Sequence, residues 1–218
     1  MNLLSLLFKS KTKKFSDIIP NYKEYVRLQK EDYCSFESDN KHWSEGQERY
    51  IKQNFSKTKK DTKILDMACG DGVGLKTFKK LKFTNITGVE FNSKKAKKAL
   101  VYGYPVEQYD MHKLKFASNT FDIAYSSHTL EHSYQPFEAI SELHRVLKPK
   151  GLLYVVLPYP DNSHPNDKAH GAKYELGTHQ DDDGKAVKKY FEKIGFQLVS
   201  KKYDHFREPE IWLKFRKI

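Results

Sequence analysis

A chain of 218 residues is long enough for one α/β core and too short for two full domains with a linker. With 31% charged residues, 14 tyrosines and 14 phenylalanines, it has the profile of a globular protein, which excludes disordered and collagenous classes. The formal charge of +11 leaves anionic ligands unrepelled, although solvated loops and helix faces account for Lys57, Lys59, Lys60, Lys94, Lys95, Lys97 and Lys98.

Met1–Phe8 is apolar but too short to cross a bilayer or to form a signal-peptide core. Its basic residues, Lys9, Lys11, Lys13 and Lys14, follow it and do not precede it. It reads as a packed or frayed helix, with weak membrane-surface contact through residues 1–14 as the alternative. Tyr22–Leu28 and Ser44–Phe55 have helical patterns. Residues 1–55 are therefore expected to form a helical N-terminal extension capping a sheet's carboxyl edge, and residues 56–218 one α/β domain. Cys34 and Cys69 make no metal-type spacing, which fits a reduced, cytoplasmic setting.

From residue 62 short apolar runs alternate with amphipathic ones, the pattern of βαβ units. Strands are expected at Ile64–Met67, Ile86–Phe91, Val106–Asp110, Phe121–Ser126 and Leu152–Leu157. A helix with Phe137, Ile140, Leu143 and Leu147 on its apolar face stops at a Lys148-Pro149-Lys150-Gly151 turn. Residues 159–183 are polar and aperiodic, and a loop that long inside a domain is usually functional. A second helix carries Val187, Tyr190, Phe191 and Ile194, closed by Gly195. Final strands are expected at Phe196–Ser200 and Ile211–Phe215.

The strongest chemical signal is Ile64-Leu65-Asp66-Met67 running into Ala68-Cys69-Gly70-Asp71-Gly72-Val73-Gly74, with Leu75, Phe78 and Leu81 opening a helix. Glycines let a backbone turn tightly and approach a ligand. Taken alone, a structural turn or a dinucleotide fingerprint gives the same pattern. Glu90, 24 residues after Asp66 at the end of the second strand, suits the two hydroxyls of a ribose. Asp110 and Met111, ending the third, suit the amine edge and the face of an adenine. Three successive strand ends thus fit an adenosyl ligand.

With Phe121-Asp122-Ile123-Ala124-Tyr125-Ser126-Ser127-His128-Thr129-Leu130-Glu131-His132 and Arg145-Val146-Leu147-Lys148-Pro149-Lys150-Gly151, the sequence resembles the class I S-adenosylmethionine-dependent methyltransferases, particularly those acting on small molecules. The resemblance covers residues 62–160 by motif and extends to 217 by order of elements. It implies a Rossmann-like seven-stranded α/β sheet, mostly parallel, with strand 7 antiparallel and helices on both faces. It also implies S-adenosylmethionine as cofactor and S-adenosylhomocysteine as product. By position, the backbone of Ala68, Cys69, Gly70 and Gly72 would hold the methionine part and Asp66 would order the loop. Glu90 would take the ribose, Phe91 and Met111 would sandwich the adenine, and Asp110 would bind its amine. Ser127 and His128 would lie beside the sulfonium. Ala68 and Lys150 stand where the family usually has glycine.

An oxygen nucleophile usually needs a general base. The candidates are His128 and the loop residues His164, His170 and His179, with His170 favoured by its central place. Those histidines and Asp181-Asp182-Asp183 match no compact metal motif, so no metal is assigned. Asp122 and His132 read as structural. Ser126-Ser127-His128-Thr129 replaces the Asn/Asp-Pro-Pro-Tyr/Phe run of nucleic-acid amino-methyltransferases, so nucleic acid is not the expected partner. The polar loop favours O-methylation of a small acceptor, anionic or phosphorylated ones included: a sugar, a sugar nucleotide or a surface-glycan precursor. The alternatives are an acceptor of nucleic acid or protein, or a silent cofactor-binding partner subunit. No motif encodes an oligomeric state.

Overall fold

Apolar residues occupy both parities of the central strands, so the sheet must be covered on both faces. In the structure, a computed structural model that describes residues 13–31 and 35–218, this is the arrangement found. The Met1–Phe8 segment, Lys9, Lys11 and Cys34 lie outside the described residues. Seven strands form one sheet: β1 Ile64–Met67, β2 Ile86–Val89, β3 Val106–Glu107, β4 Phe121–Ser127, β5 Leu147–Pro158, β6 Phe196–Asp204 and β7 Glu210–Lys217. Their order is β3-β2-β1-β4-β5-β7-β6, with β7 antiparallel to β5 and β6 and the other pairs parallel. This is a Rossmann-like fold with an antiparallel seventh strand, as the family resemblance implies.

Alternation along each strand divides the core. Ile64, Ile123, Tyr125, Tyr154 and Val156 pack against α2 (Lys41–Phe55) and α3 (Val73–Lys80). Leu65, Met67, Ala124, Leu153, Val155 and Phe215 pack on the other side against α5 (Pro136–Val146) and α7 (Lys185–Glu192). The buried stripe of α5 is Ala139, Ile140, Leu143 and Val146, while Phe137 is half exposed. Ile140 and Leu143 lie on the expected face, but Ala139 and Val146 complete it in place of Phe137 and of Leu147, which begins β5.

The Lys148–Gly151 turn is absorbed into β5. Leu147 already pairs with Phe121, and a register shift between Phe121 and Ile123, with Lys150 at φ 63, makes the irregularity a bulge. β3 is shorter than expected because Asp110 turns the chain back onto Lys113 and accepts the His112 N–H.

The N-terminal residues divide. α1 (Tyr22–Glu31) lies at the carboxyl edge, where Asn92 donates to the Lys30 carbonyl at 3.0 Å and Tyr22 hydrogen-bonds Asp110. Phe15, Ile19, Tyr25 and Leu28 form a small cluster there. α2, in contrast, belongs to the sheet's own helical layer: Tyr50, Ile51 and Phe55 are buried against the strands. Among the described residues no helix is long and apolar enough to cross a membrane.

Residues 159–183 are held firmly. Tyr159 Oη accepts the Gly184 N–H at 2.6 Å, and Asp161 N donates to the Thr178 carbonyl at 2.8 Å. The buried ammonium of Lys173 donates to the Ser163 carbonyl and hydroxyl. A short helix, α6 (Lys173–Leu176), forms within the segment, and Phe15 packs where a side chain on Gly171 would stand.

Phe55 sits between Phe78, Tyr125 and Tyr154 with no exposed surface. Phe55→Ala is expected to cost about 3–5 kcal/mol in urea unfolding. A loss below about 1 kcal/mol would mean that α2 contributes little to the sheet's core.

Candidate functional site

The turn after β1 requires left-handed backbone at Ala68 (φ 54), Gly70 (φ 56) and Gly72 (φ 92). Alanine at 68 meets the conformation for which the resembled family uses glycine, at a strain of about 1–2 kcal/mol. Glu90, just past β2, ties this turn down. Its Oε2 accepts the Gly70 N–H at 3.0 Å and its Oε1 the Asn92 N–H at 2.7 Å. Asn92 in turn caps α4 (Ser93–Ala99) by accepting the Lys94 and Lys95 N–H groups.

Above this turn lies a cavity lined by Ala68, Gly70, Glu90, Phe91, Met111 and His128, and also by Gln29, Glu37, Lys95, Tyr109, Thr129 and His132. Glu37 comes from a 3-10 turn, Glu37–Asp39, fixed by Ser38 N donating to Asp71 at 3.0 Å. Burial pushes its carboxyl up to about 7, with Lys95 opposing and Asp71 and Glu90 adding to the rise. Burial also raises Glu90, and it raises Asp66 well above the usual carboxylate range. A neighbourhood of three raised carboxyls in a protein of net charge +11 favours a cationic ligand.

An adjoining hollow shares Glu37, Lys95, His128 and His132 and adds Phe36, Asn40, Trp43, Glu131, His170 and Glu208. His128, at φ 48, stands between the two. Its Nε2 is 2.8 Å from Glu210, and its Nδ1 is 3.2 Å from Glu208 and 3.5 Å from Glu131. Burial alone would lower its pKa, but the three carboxylates hold it up to about 10. The three carboxylates favour its imidazolium form, which has no lone pair with which to accept a proton. Arg207 completes the cage at 3.0 Å from Glu210 and lies 3.4 Å from Ser127 Oγ.

The loop histidines separate. His170 reaches the hollow with Nδ1 3.0 Å from Asp161. His164 is exposed and accepts the Asn166 N–H, while His179 faces the Lys173 carbonyl at 3.1 Å. Neither lines either cavity.

Several expected cofactor residues act from behind the wall. Cys69 packs into the core beside Gly88, with its thiol raised by burial. Gly72 faces Tyr102 and Ala99, and Asp66 lies beneath Gly74. Asp110 is engaged by Tyr22 and by His112, whose Nδ1 is at 2.6 Å, so its carboxylate fastens α1 to the sheet edge while Met111 lines the cavity.

Residues 65–155 match the family model described as a methyltransferase domain. Residues 65–155 thus carry a methyltransferase domain, and the match agrees with the resemblance of the sequence to the class I S-adenosylmethionine-dependent methyltransferases. Sterol 24-C-methyltransferase ERG6B of Gibberella zeae is 27% identical over 159 residues, covering 68% of this chain and 41% of that protein. The chain spans less than half the length of that curated relative. An S-adenosylmethionine dependent methyltransferase from Mesorhizobium loti superposes with a TM-score of 0.57 at 16% identity, over 72% of this chain and 91% of that one. The cyclase SpnF does so with a TM-score of 0.63 at 16% identity, over 80% of each. These superpositions establish the fold.

Around this methyltransferase domain Glu37, Trp43, Lys95 and Glu208 line the cavities, and Glu210 holds His128, without the sequence announcing them. No local pattern marks them, because they come together only from segments far apart in the chain. Glu131 and His132 lie inside the motif after β4, whose pattern alone gives them no chemical role. The residues present fit the family's cofactor: a left-handed cradle at Ala68 and Gly70, an acidic wall, and Phe91 and Met111 for an adenine ring.

Glu90→Ala is expected to weaken S-adenosylhomocysteine binding by about 1.5–3 kcal/mol in calorimetry, through loss of a charge-assisted hydrogen bond. Unchanged affinity would place the ribose elsewhere.

Proposed function

We propose that this protein transfers a methyl group from S-adenosylmethionine to an oxygen of a small polar acceptor. The observation that carries the proposal is the joining of an acidic cavity to a polar hollow at His128. When bound, S-adenosylmethionine supplies an electrophilic methyl group on a cationic sulfur. The Ala68 and Gly70 backbone holds its methionine part, Glu90 its ribose, and Phe91 and Met111 its adenine. Glu37 takes the ammonium. Asp66, Cys69 and Gly72 shape the turn, Asp110 fastens α1, and Ser127 stands at the end of β4 beside Arg207.

Among the described residues, Phe36 and Trp43 are the large apolar groups of the acceptor side, next to Asn40, Glu131, His132, His170 and Glu208. Such walls suit hydroxyls, as in a sugar, a sugar nucleotide or a glycan precursor. The relative's name points instead to a sterol methylated at carbon, and a sterol calls for a broad apolar wall that these residues do not supply. Of the four candidate histidines, His128 holds its proton and His164 and His179 stand away. His170 is assigned the activation of the acceptor's hydroxyl, a reading supported by its place in the hollow and its pairing with Asp161.

Glu37 is faced by Lys95 of α4, Asp71 of the turn, Glu90 after β2 and His128 after β4. A cationic ligand favours its ionised form, which grows as pH rises through about 7. Affinity for S-adenosylhomocysteine should therefore increase between about pH 6 and pH 8, and Glu37→Gln should flatten that increase. An identical slope in the variant would assign the ammonium to another group.

Turnover to S-adenosylhomocysteine with a panel of hydroxylated acceptors tests the reaction. His170→Ala should lose about 10²–10⁴-fold in turnover with cofactor affinity intact, while His164→Ala and His179→Ala stay active. Normal turnover in His170→Ala would remove the loop from the chemistry.

A further inference from the structure

Glu131, His132 and His170 each bring one potential ligand atom to within 4.8 Å of the other two. Glu131 has no exposed surface, and among the described residues neither of its carboxylate oxygens accepts a hydrogen bond. The nearest cation, His128 Nδ1, stands 3.5 Å from Oε1. A carboxylate buried with so little direct hydrogen bonding is costly unless a positive charge compensates it.

In each of the two imidazoles Nδ1 is engaged by an oxygen acceptor. His132 Nδ1 lies 2.8 Å from the Ala169 carbonyl, which only accepts, so Nδ1 is the donor. Its Nε2 faces Glu131 Oε1 at 3.8 Å. His170 Nδ1 lies 3.0 Å from Asp161 Oδ2, and the same reasoning makes it a donor to the carboxylate. Asp161 is itself fixed by the Ser163 N–H at 3.1 Å and by Lys173 at 3.9 Å. A carbonyl or carboxylate on the far nitrogen is how proteins orient metal-binding histidines.

We propose that Glu131, His132 and His170 form a binding site for a divalent first-row metal ion such as zinc, on the acceptor side of the cavity. Two imidazoles and a carboxylate suit such ions, and the remaining positions would take water or acceptor oxygens. Glu131 would be the one anionic ligand, and Asp161 would orient His170 from behind it. Of the potential ligands that the long loop offers in sequence, only His170 takes part; its partners lie just after β4. The ion's role rests on the acceptor assignment above, whereas its binding does not. A bound cation would acidify a coordinated hydroxyl and so assign the activation at His170 to coordination.

The full chain, stripped with a chelator, should be titrated with Zn²⁺ and with Co²⁺, without cofactor or acceptor, by calorimetry and visible absorption. Saturable binding of one ion with Co²⁺ ligand-field bands is expected. His170→Ala and Glu131→Gln should abolish it, and Asp161→Asn should weaken it about 10- to 100-fold. His164→Ala and His179→Ala should bind as the parent does. Thermal melts by circular dichroism check the buried Glu131→Gln, and the partly exposed His170→Ala gives the same answer independently. Absence of binding, or binding that survives His170→Ala or depends on His164 or His179, overturns the site. If His170→Ala loses turnover while the parent binds no metal, the methyl-transfer reading stands and the metal is wrong. Metal binding in a protein without turnover supports the metal site and overturns the methyl-transfer reading.

Discussion

The Gly70 N–H donates to the Glu90 carboxylate, and this bond joins the ends of two neighbouring parallel strands. It fixes a left-handed turn that would otherwise be costly to hold open. It also keeps a carboxylate at the cavity wall, because the same group accepts from Asn92 and is not free to swing away. Asn92 then caps α4 and reaches back to the carbonyls of α1, so three elements are referenced to one side chain's position. The placement of the N-terminal helix and of the acidic wall both follow from it.

Charge is distributed against the composition. The chain is strongly basic, yet the cavity gathers Glu37 and Glu90 over a buried Asp66, and burial raises all three. In a low-dielectric cleft such a cluster is relieved by a cation, which is the character of a sulfonium ligand bearing an ammonium. His128 shows the complementary logic. Held by Glu131, Glu208 and Glu210, it is a fixed positive charge between the two compartments, closer to a structural ion than to a base.

The long segment after β5 obtains its order from contacts far away in sequence. Lys173 gathers the Ser163 and His164 carbonyls, Tyr159 closes on Asp182 and Gly184, and Phe15 packs over Gly171. These anchors decide which histidine faces the hollow. His164 is turned to the surface and His179 toward the loop's own backbone. His170 alone of the three is aimed inward, next to His132 at a ring separation of 5.0 Å.

Sequence by itself located the strands from residue 62 onward, because short apolar runs and their spacing are local properties of the chain, while the antiparallel seventh strand was implied by the family resemblance. It also located the Ala68–Gly72 turn and Glu90, since a glycine-rich turn and the next strand's end lie within one βαβ unit. The extent of β3 and β5 was not legible: a turn at Asp110 and a bulge at Lys150 depend on partners across the sheet. Nor was the character of His128 or His170. Glu210 is 82 residues from His128, and Asp161 orients His170 only once the loop has closed. An imidazole is base, cation or ligand according to which carboxylates stand within about 3 Å of it. That neighbourhood is made by tertiary folding, and three identical letters in one loop carry no trace of it.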